Sequence, residues 1–150
     1  MKYSPTKTID SSETNPPPII YASAAILINS KHEVLLAQRQ ADQVMPFYYE
    51  FPGGKLESGE TPEECLLREA QEELGIVIEK FSPLTFISED RGDYHVIVYL
   101  YLCQSWQNEA YGKEGQQTIW TSPNQLSNYN LLPANIPIIP HIINAISLLD

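Results

Sequence analysis

Residues Gly54 to Ile76, GKLESGETPEECLLREAQEELGI, constrain the fold more than any other stretch. They hold a helix whose ends are marked and whose two faces want different surroundings. Thr61 has the side chain of an N-cap, Pro62 follows at the first helical position, and Glu64 completes a capping box. Gly75 supplies the left-handed residue that stops the helix. Between those limits Leu66, Leu67, Ala70 and Leu74 form one stripe, and Glu69, Glu72 and Glu73 form another roughly 120° away. The apolar stripe has to pack on other elements. The acidic stripe repels itself, because residues three and four apart are neighbours on a helix. It therefore needs a positive partner, and an all-oxygen donor set favours a hard divalent cation, Mg²⁺ with Mn²⁺ as the alternative.

The flanking sequence supplies strands for that apolar stripe. Ile19–Asn29 and Glu33–Arg39, joined by a turn at Asn29–His32, predict two strands in a hairpin. Gln40–Tyr49 is a polar loop ending in aromatics. Glu50–Phe51–Pro52 is a short extended piece before Gly53–Gly54, where the backbone has to turn tightly. Past the helix, Ile76–Ile87 holds strand-like pieces, Glu89–Asp93 reads as a charged turn, and Tyr94–Trp106 is predicted as a central strand. The loop Gln107–Gln116 leads to a short strand at Thr118–Trp120 and a helical turn at Ser122–Leu126. A last helix is predicted over Pro137–Leu149, with Pro140 tolerated in its opening turns. Two helices far apart in sequence, with strands between them, predict an α+β fold: a mixed β-sheet sandwiched between α-helices. Residues 1–18, polar and ending in three prolines, read as a flexible tail, and 19–150 as one domain.

The net charge of −10 argues against a duplex-binding or polybasic membrane surface. It leaves room for a small anionic substrate, since a bound cation reverses the sign of the local field. Cys65 and Cys103 lack both the spacing and the number for a disulfide framework. No apolar run is long enough for a membrane span or a secretory segment, so the expected location is the cytoplasm. His32, His95 and His141 are scattered without zinc-ligand spacing. Tyr94, Tyr99 and Tyr101 are expected to serve the core and the sheet surface, with Tyr94 and Phe47 as candidate base-stacking walls. A monomer and a homodimer are equally compatible with the sequence.

Gly54, five residues, Glu60, seven residues, then Arg68-Glu69-Ala70-Gln71-Glu72-Glu73-Leu74-Gly75-Ile76 resembles the Nudix box over its 23-residue frame. The resemblance implies the Nudix fold and hydrolysis of nucleoside diphosphates linked to another moiety, by attack of water on a pyrophosphate phosphorus with divalent metal help. It implies that Glu69, Glu72 and Glu73 take metal-ligand and base positions, that the Gly53 carbonyl is a further ligand, and that Glu60 supports the site from behind. Arg68, within reach of Glu72 one turn on, would orient the glutamates. Lys55 would pair with a carboxylate or with the phosphates. The chemistry agrees: a polyphosphate concentrates negative charge that must be neutralised before a nucleophile can approach. Metal ions do this and also lower the pKa of bound water.

Beyond the box, similarity to the MutT-like branch, which sanitises 8-oxo-dGTP, covers most of residues 19–145. In LLAQRQAD leading into EFPGGK, Arg39 falls at a substrate-contacting position and Glu50, Phe51, Pro52 and Gly53 line the nucleotide. In Gly112–Gln116, Glu114 matches a loop carboxylate of the metal site. In Pro133–Ala134–Asn135, Asn135 matches the amide that reads the oxidised purine. Taken alone, these residues have plainer roles: Arg39 as an ion-pair partner, Glu114 as a solvated carboxylate, Asn135 as a cap for the last helix. An Asn amide suits a purine edge because it offers donor and acceptor together. Oxidation converts guanine N7 from acceptor to N–H donor, which gives the amide carbonyl a partner that normal guanine lacks. Val44 stands where the relatives have histidine and Tyr49 where many have tryptophan. The expected activity is Mg²⁺-dependent hydrolysis of 8-oxo-dGTP to 8-oxo-dGMP and pyrophosphate. Another nucleotide such as CTP or dCTP is the alternative substrate, and a non-catalytic nucleotide-binding regulator is the alternative class. The complete set of box carboxylates disfavours the last. The expected partner is a small nucleotide, with no nucleic acid polymer and no membrane.

Overall fold

The computed structural model describes residues 16–149, so all of the expected tail except Pro16–Pro18 lies outside the described residues. Its strands are β1 (Ile19–Leu27), β2 (Val34–Gln38), β3 (Tyr49–Glu50), β4 (Gly53–Lys55), β5 (Val77–Asp90), β6 (His95–Gln107) and β7 (Thr118–Thr121), and its α-helices are α1 (Pro62–Leu74) and α2 (Ile139–Ser147). They form two sheets rather than one: β4-β1-β6-β5, and β3-β2-β7. β1 runs parallel to β6 and antiparallel to β4.

Side-chain alternation along the strands explains the layers. Ala24, Ile26 and Ile28, with Val34, Leu36, Leu100 and Leu102, face a core closed by Leu126, Ile138 and Ile142. The intervening Ala25, Leu27, Leu35, Tyr101 and Cys103 face a second core closed by Leu66, Ala70 and Leu74 of α1. The strands thus lie between α1 on one side and α2 on the other, the expected α+β sandwich. From Ser23 to Leu27 β1 is buried on both faces, which is why that half carries small and apolar residues without alternation.

The pairing of both edges of β1 overturns the predicted hairpin. β1 has β4 and β6 on its two edges, so no edge is left for β2, and only the single bridge Ile28–Val34 joins them. The turn exists, with the Asn29 carboxamide oxygen accepting the N–H groups of Lys31 and Glu33, but it carries the chain into the other sheet. β6 is central as predicted. The pieces between Ile76 and Ile87 are one edge strand, β5, whose register shifts on either side of Pro83. An edge strand tolerates proline because one row of its N–H groups needs no partner. β5 runs to Asp90, so the predicted charged turn shrinks to residues 91–93. The last predicted helix is also divided, into a 3₁₀ segment Pro133–Ile138 and then α2. Pro137 lies inside the 3₁₀ segment, where it removes an N–H donor, whereas Pro140 sits in the first turn of α2, where a missing N–H is tolerated as expected.

α1 is as its sequence dictates: the Thr61 hydroxyl accepts from Glu64 N–H, the Glu64 carboxylate accepts from Thr61 N–H, and Gly75 sits at φ 68°. Cys65, Leu66, Ala70 and Leu74 are buried, whereas Leu67, placed in the same stripe by sequence, is 37% exposed. The fully buried Ser23 hydroxyl of β1 donates to the Pro62 carbonyl at 2.8 Å, which anchors the start of α1 on the sheet. Among the described residues, no helix is long and apolar enough to cross a membrane.

Candidate active site

The acidic face of α1 points at β4. Gly53 N–H donates to Glu73 Oε2 at 3.2 Å. The Glu69 carboxylate lies where a side chain on Gly54 would be: a Cβ there would come within 2.3 Å of Glu69 Oε1. The Gly53–Gly54 pair is therefore required by close approach, on one side to carboxylates and on the other to β1. A Cβ on Gly53 would sit 2.1 Å from the Ser23 carbonyl oxygen and 2.6 Å from Ala24 Cα, backbone atoms of an interior strand. Gly53→Ala is expected to destabilise the fold by about 1–3 kcal/mol, the range for forcing extra volume into a packed site. A urea unfolding midpoint unchanged from the parent chain would refute this.

Arg68 lies across the acidic face. Its guanidinium reaches Glu60 at 2.7 Å, Glu69 at 2.9 Å and Glu72 at 3.1 Å, and donates to the Lys55 carbonyl at 3.0 Å. Glu60, expected as support, is the tightest of these partners. The Arg68 hydrogen bond is the main reason its carboxyl is held down to about 2. Glu73 goes the other way. Burial first, then the negative charges of Glu69, Glu114 and Glu50, raise its pKa to about 9.

Glu114 is brought to this cluster by the loop after β6. The N–H groups of Tyr111 and Lys113 donate to the carbonyls of Leu74 and Glu73 at 3.2 and 3.0 Å. Helix C-termini leave carbonyls without internal partners, and α1 has no basic residue in its last turn to serve them. The loop does so instead.

Around the β4 edge, on the face opposite α1, lies a cleft of about 260 Å³. Its walls include Arg39, Glu50, Phe51, Gly53, Lys55 and Asn135, six of the residues expected at the substrate. Pro52 is buried and does not line it. Arg39 makes an ion pair with Glu50 at 2.8 Å and donates through Nε to the Val44 carbonyl, so its plainer role as an ion-pair partner is realised on the cleft wall. Asn135 is 9% exposed and does not cap α2, whose N-cap is Ile138. Its own N–H bonds to the Leu132 carbonyl, while its carboxamide makes no hydrogen bond among the described residues. Of the two candidate stacking walls, Tyr94 lines the cleft; Phe47 is 59% exposed and stands apart from it. The floor is apolar, with Ile20 and Ala22 of β1 and Val96 and Val98 of β6.

Two cleft residues escaped the sequence reading. Glu89 and Arg91, paired at 2.9 Å, stand on the rim at the β5–β6 hairpin. For Glu89 the signal was there: a strand running to Asp90 turns every other residue toward the floor, and Arg91 follows at the turn.

Among the described residues, no three carboxylate, histidine or cysteine side chains converge on a single point. Arg68 draws Glu69 and Glu72 toward itself, while Glu73 leans on Gly53. In chemistry the donor set fits a hard divalent ion: four carboxylates and the backbone of a glycine cradle, with one carboxylate so crowded that it favours its proton.

A family model described as the NUDIX domain matches residues 19–142. An 8-oxo-dGTP diphosphatase of Escherichia coli K12 is 39% identical over 117 residues, covering 78% of this chain and 91% of that one. A CTP pyrophosphohydrolase of the same strain is 30% identical over 115 residues, covering 77% and 85%. A solved MutT structure, from work on the Aliivibrio salmonicida and Vibrio cholerae proteins, superposes with a TM-score of 0.76 at 30% identity, covering 85% of this chain and 98% of that one. With a helix of box glutamates against the glycine edge of the sheet and a match spanning both cores, the chain belongs to the Nudix family, as a MutT-like hydrolase of phosphoanhydride bonds.

Proposed function

We propose that this chain is a Mg²⁺-dependent nucleoside triphosphate pyrophosphohydrolase that converts 8-oxo-dGTP to 8-oxo-dGMP and pyrophosphate, a sanitiser of the nucleotide pool. The observation that carries the choice of base is the Asn135 carboxamide, which lines the cleft, stays open to solvent there and makes no hydrogen bond among the described residues. A purine edge offers that amide both a donor and an acceptor, and the N7–H of the oxidised base pairs with the amide oxygen where normal guanine has only a lone pair. Support also comes from the relatives named 8-oxo-dGTP diphosphatase at 34–39% identity.

In this reading the base occupies the apolar cleft and the phosphates cross the β4 edge to the face of α1. Glu69, Glu72, Glu73, Glu114 and the Gly53 carbonyl would hold the cation. A bound Mg²⁺ supplies charge neutralisation on the phosphates and lowers the pKa of water. Arg68 keeps Glu69 and Glu72 at fixed reach, and Glu60 keeps Arg68 in place. Lys55, exposed on β4 beside Gly54 and lining the cleft, would meet the phosphates. Glu73, whose Oε2 accepts the Gly53 N–H beside the path of the phosphates, would take a proton from the attacking water once the cation has displaced its own.

The test is kcat/KM for 8-oxo-dGTP, dGTP and CTP with Mg²⁺. A preference for 8-oxo-dGTP over dGTP of about 10²-fold or more is expected from a site built around a bond that only one of them can make. Equal values would overturn the assignment, and a higher value for CTP would move it to the activity named for the CTP-hydrolysing relative. Asn135→Ala is expected to reduce the discrimination between 8-oxo-dGTP and dGTP by about 10-fold, one lost hydrogen bond to a buried partner, while leaving dGTP turnover near that of the parent. Discrimination that survives the substitution removes Asn135 from base recognition.

A further inference from the structure

We infer that Gln116 is a positioning residue that holds Glu114 in register with Glu73, an inference that rests on the assignment of both carboxylates to the cation site. Its side-chain Nε2 donates to the Glu73 carbonyl at 2.9 Å, and its Oε1 accepts the Glu114 N–H at 3.0 Å. One amide thus links the main chain of one proposed ligand to that of the other, across 41 positions of sequence. Its orientation is dictated by the partners: a carbonyl can only be met by the NH₂ and an N–H only by the oxygen. Neither a carboxylate nor a thioether of the same length satisfies both.

The loop is shaped around this link. Gly112 packs so closely on the Gln116 main chain that a Cβ there would lie 1.8 Å from the Gln116 carbonyl oxygen. Gly115, at φ 89°, closes the turn with an N–H to the Gly112 carbonyl. From the opposite side, Gln40 Nε2 donates to the Glu114 carbonyl at 3.2 Å. Glu114 is itself exposed, so few packing contacts fix it. Its position depends on these two amides and on the Lys113 N–H beside it, and among the described residues Gln116 is the side chain that joins the Glu114 main chain to α1.

Gln116→Met keeps the length and volume of the side chain and removes both bonds, while the Lys113 and Tyr111 bonds to α1 remain. The full chain is titrated with Mn²⁺ alone, and free ion is read by its electron paramagnetic resonance signal. Gln116→Met is expected to raise the Mn²⁺ Kd by about 10-fold, the lower end of what loss of a ligand-orienting partner costs. Gln116→Glu, which keeps the acceptor for Glu114 but opposes the Glu73 carbonyl, is expected to do the same. Glu114→Gln alone weakens Mn²⁺ binding, and adding Gln116→Met to it weakens binding no further, because Gln116 acts through Glu114. Parent-like Kd values in both Gln116 variants, or multiplicative losses in the double variant, overturn the inference. Unchanged binding in Glu114→Gln instead overturns the assignment of Glu114 to the cation site, a separate failure.

Discussion

Glu73→Gln is expected to lower kcat by at least ~10²-fold at saturating Mg²⁺ and 8-oxo-dGTP, the scale of losing a general base or a charge that stabilises the transition state. The substitution is nearly isosteric, and the new amide oxygen can still accept the Gly53 N–H that Glu73 Oε2 accepts at 3.2 Å. It removes only the charge and the ability to take a proton. Because burial and the nearby Glu69, Glu114 and Glu50 disfavour that charge, the variant is expected to unfold at a temperature no lower than the parent's when no divalent cation is added. Steady-state pyrophosphate release and circular dichroism on the same preparations check both halves. Near-normal kcat would remove Glu73 from the chemistry. A lost kcat with a sharply lowered midpoint would make its role one of folding.

The site and the fold were legible in the sequence to different depths. The α1 region was readable almost completely, because its signals are local: a cap, a proline, a glycine and two stripes within one short segment. Leu67 was misplaced because it lies at the margin of the apolar stripe, where the helix rolls away from the sheet. The β1–β2 hairpin failed for a non-local reason. An apolar run flanked by a turn is equally compatible with a hairpin and with a strand buried on both faces, and only the partners β4 and β6 decide between them. Gln116 could not be singled out because its importance comes from where α1 ends, at carbonyls that lack donors. Glu89 was read as part of a turn because charge outweighed period in a strand that runs to Asp90, while Arg91 does lie in the turn. Asn135 lines the cleft and is free from capping because the 3₁₀ segment Pro133–Ile138, with Pro137 inside it, comes before α2 begins.

Without divalent cation, the parent chain is expected to lose stability relative to Glu73→Gln as pH rises from 4.5 to about 9. The sign follows from proton counts. Glu73 binds its proton more tightly folded than unfolded, so within that window the native state holds more protons, and the slope of unfolding free energy with pH is negative. One such group contributes a slope of at most about 1.4 kcal/mol per pH unit. Comparison with Glu73→Gln cancels the other titrating groups, which both proteins share. Adding Mg²⁺ reverses the trend, since an ion that binds the carboxylate expels the proton and stabilises the native state by mass action. At pH 7.5 binding is therefore expected to release about one proton in the parent and none from this position in Glu73→Gln. Calorimetric titration in two buffers of different ionisation enthalpy counts those protons. Cation binding with no proton release from the parent at pH 7.5 would mean that the ion does not engage Glu73. The carboxylate crowding against β4 would then be a feature of the fold and not of the reaction.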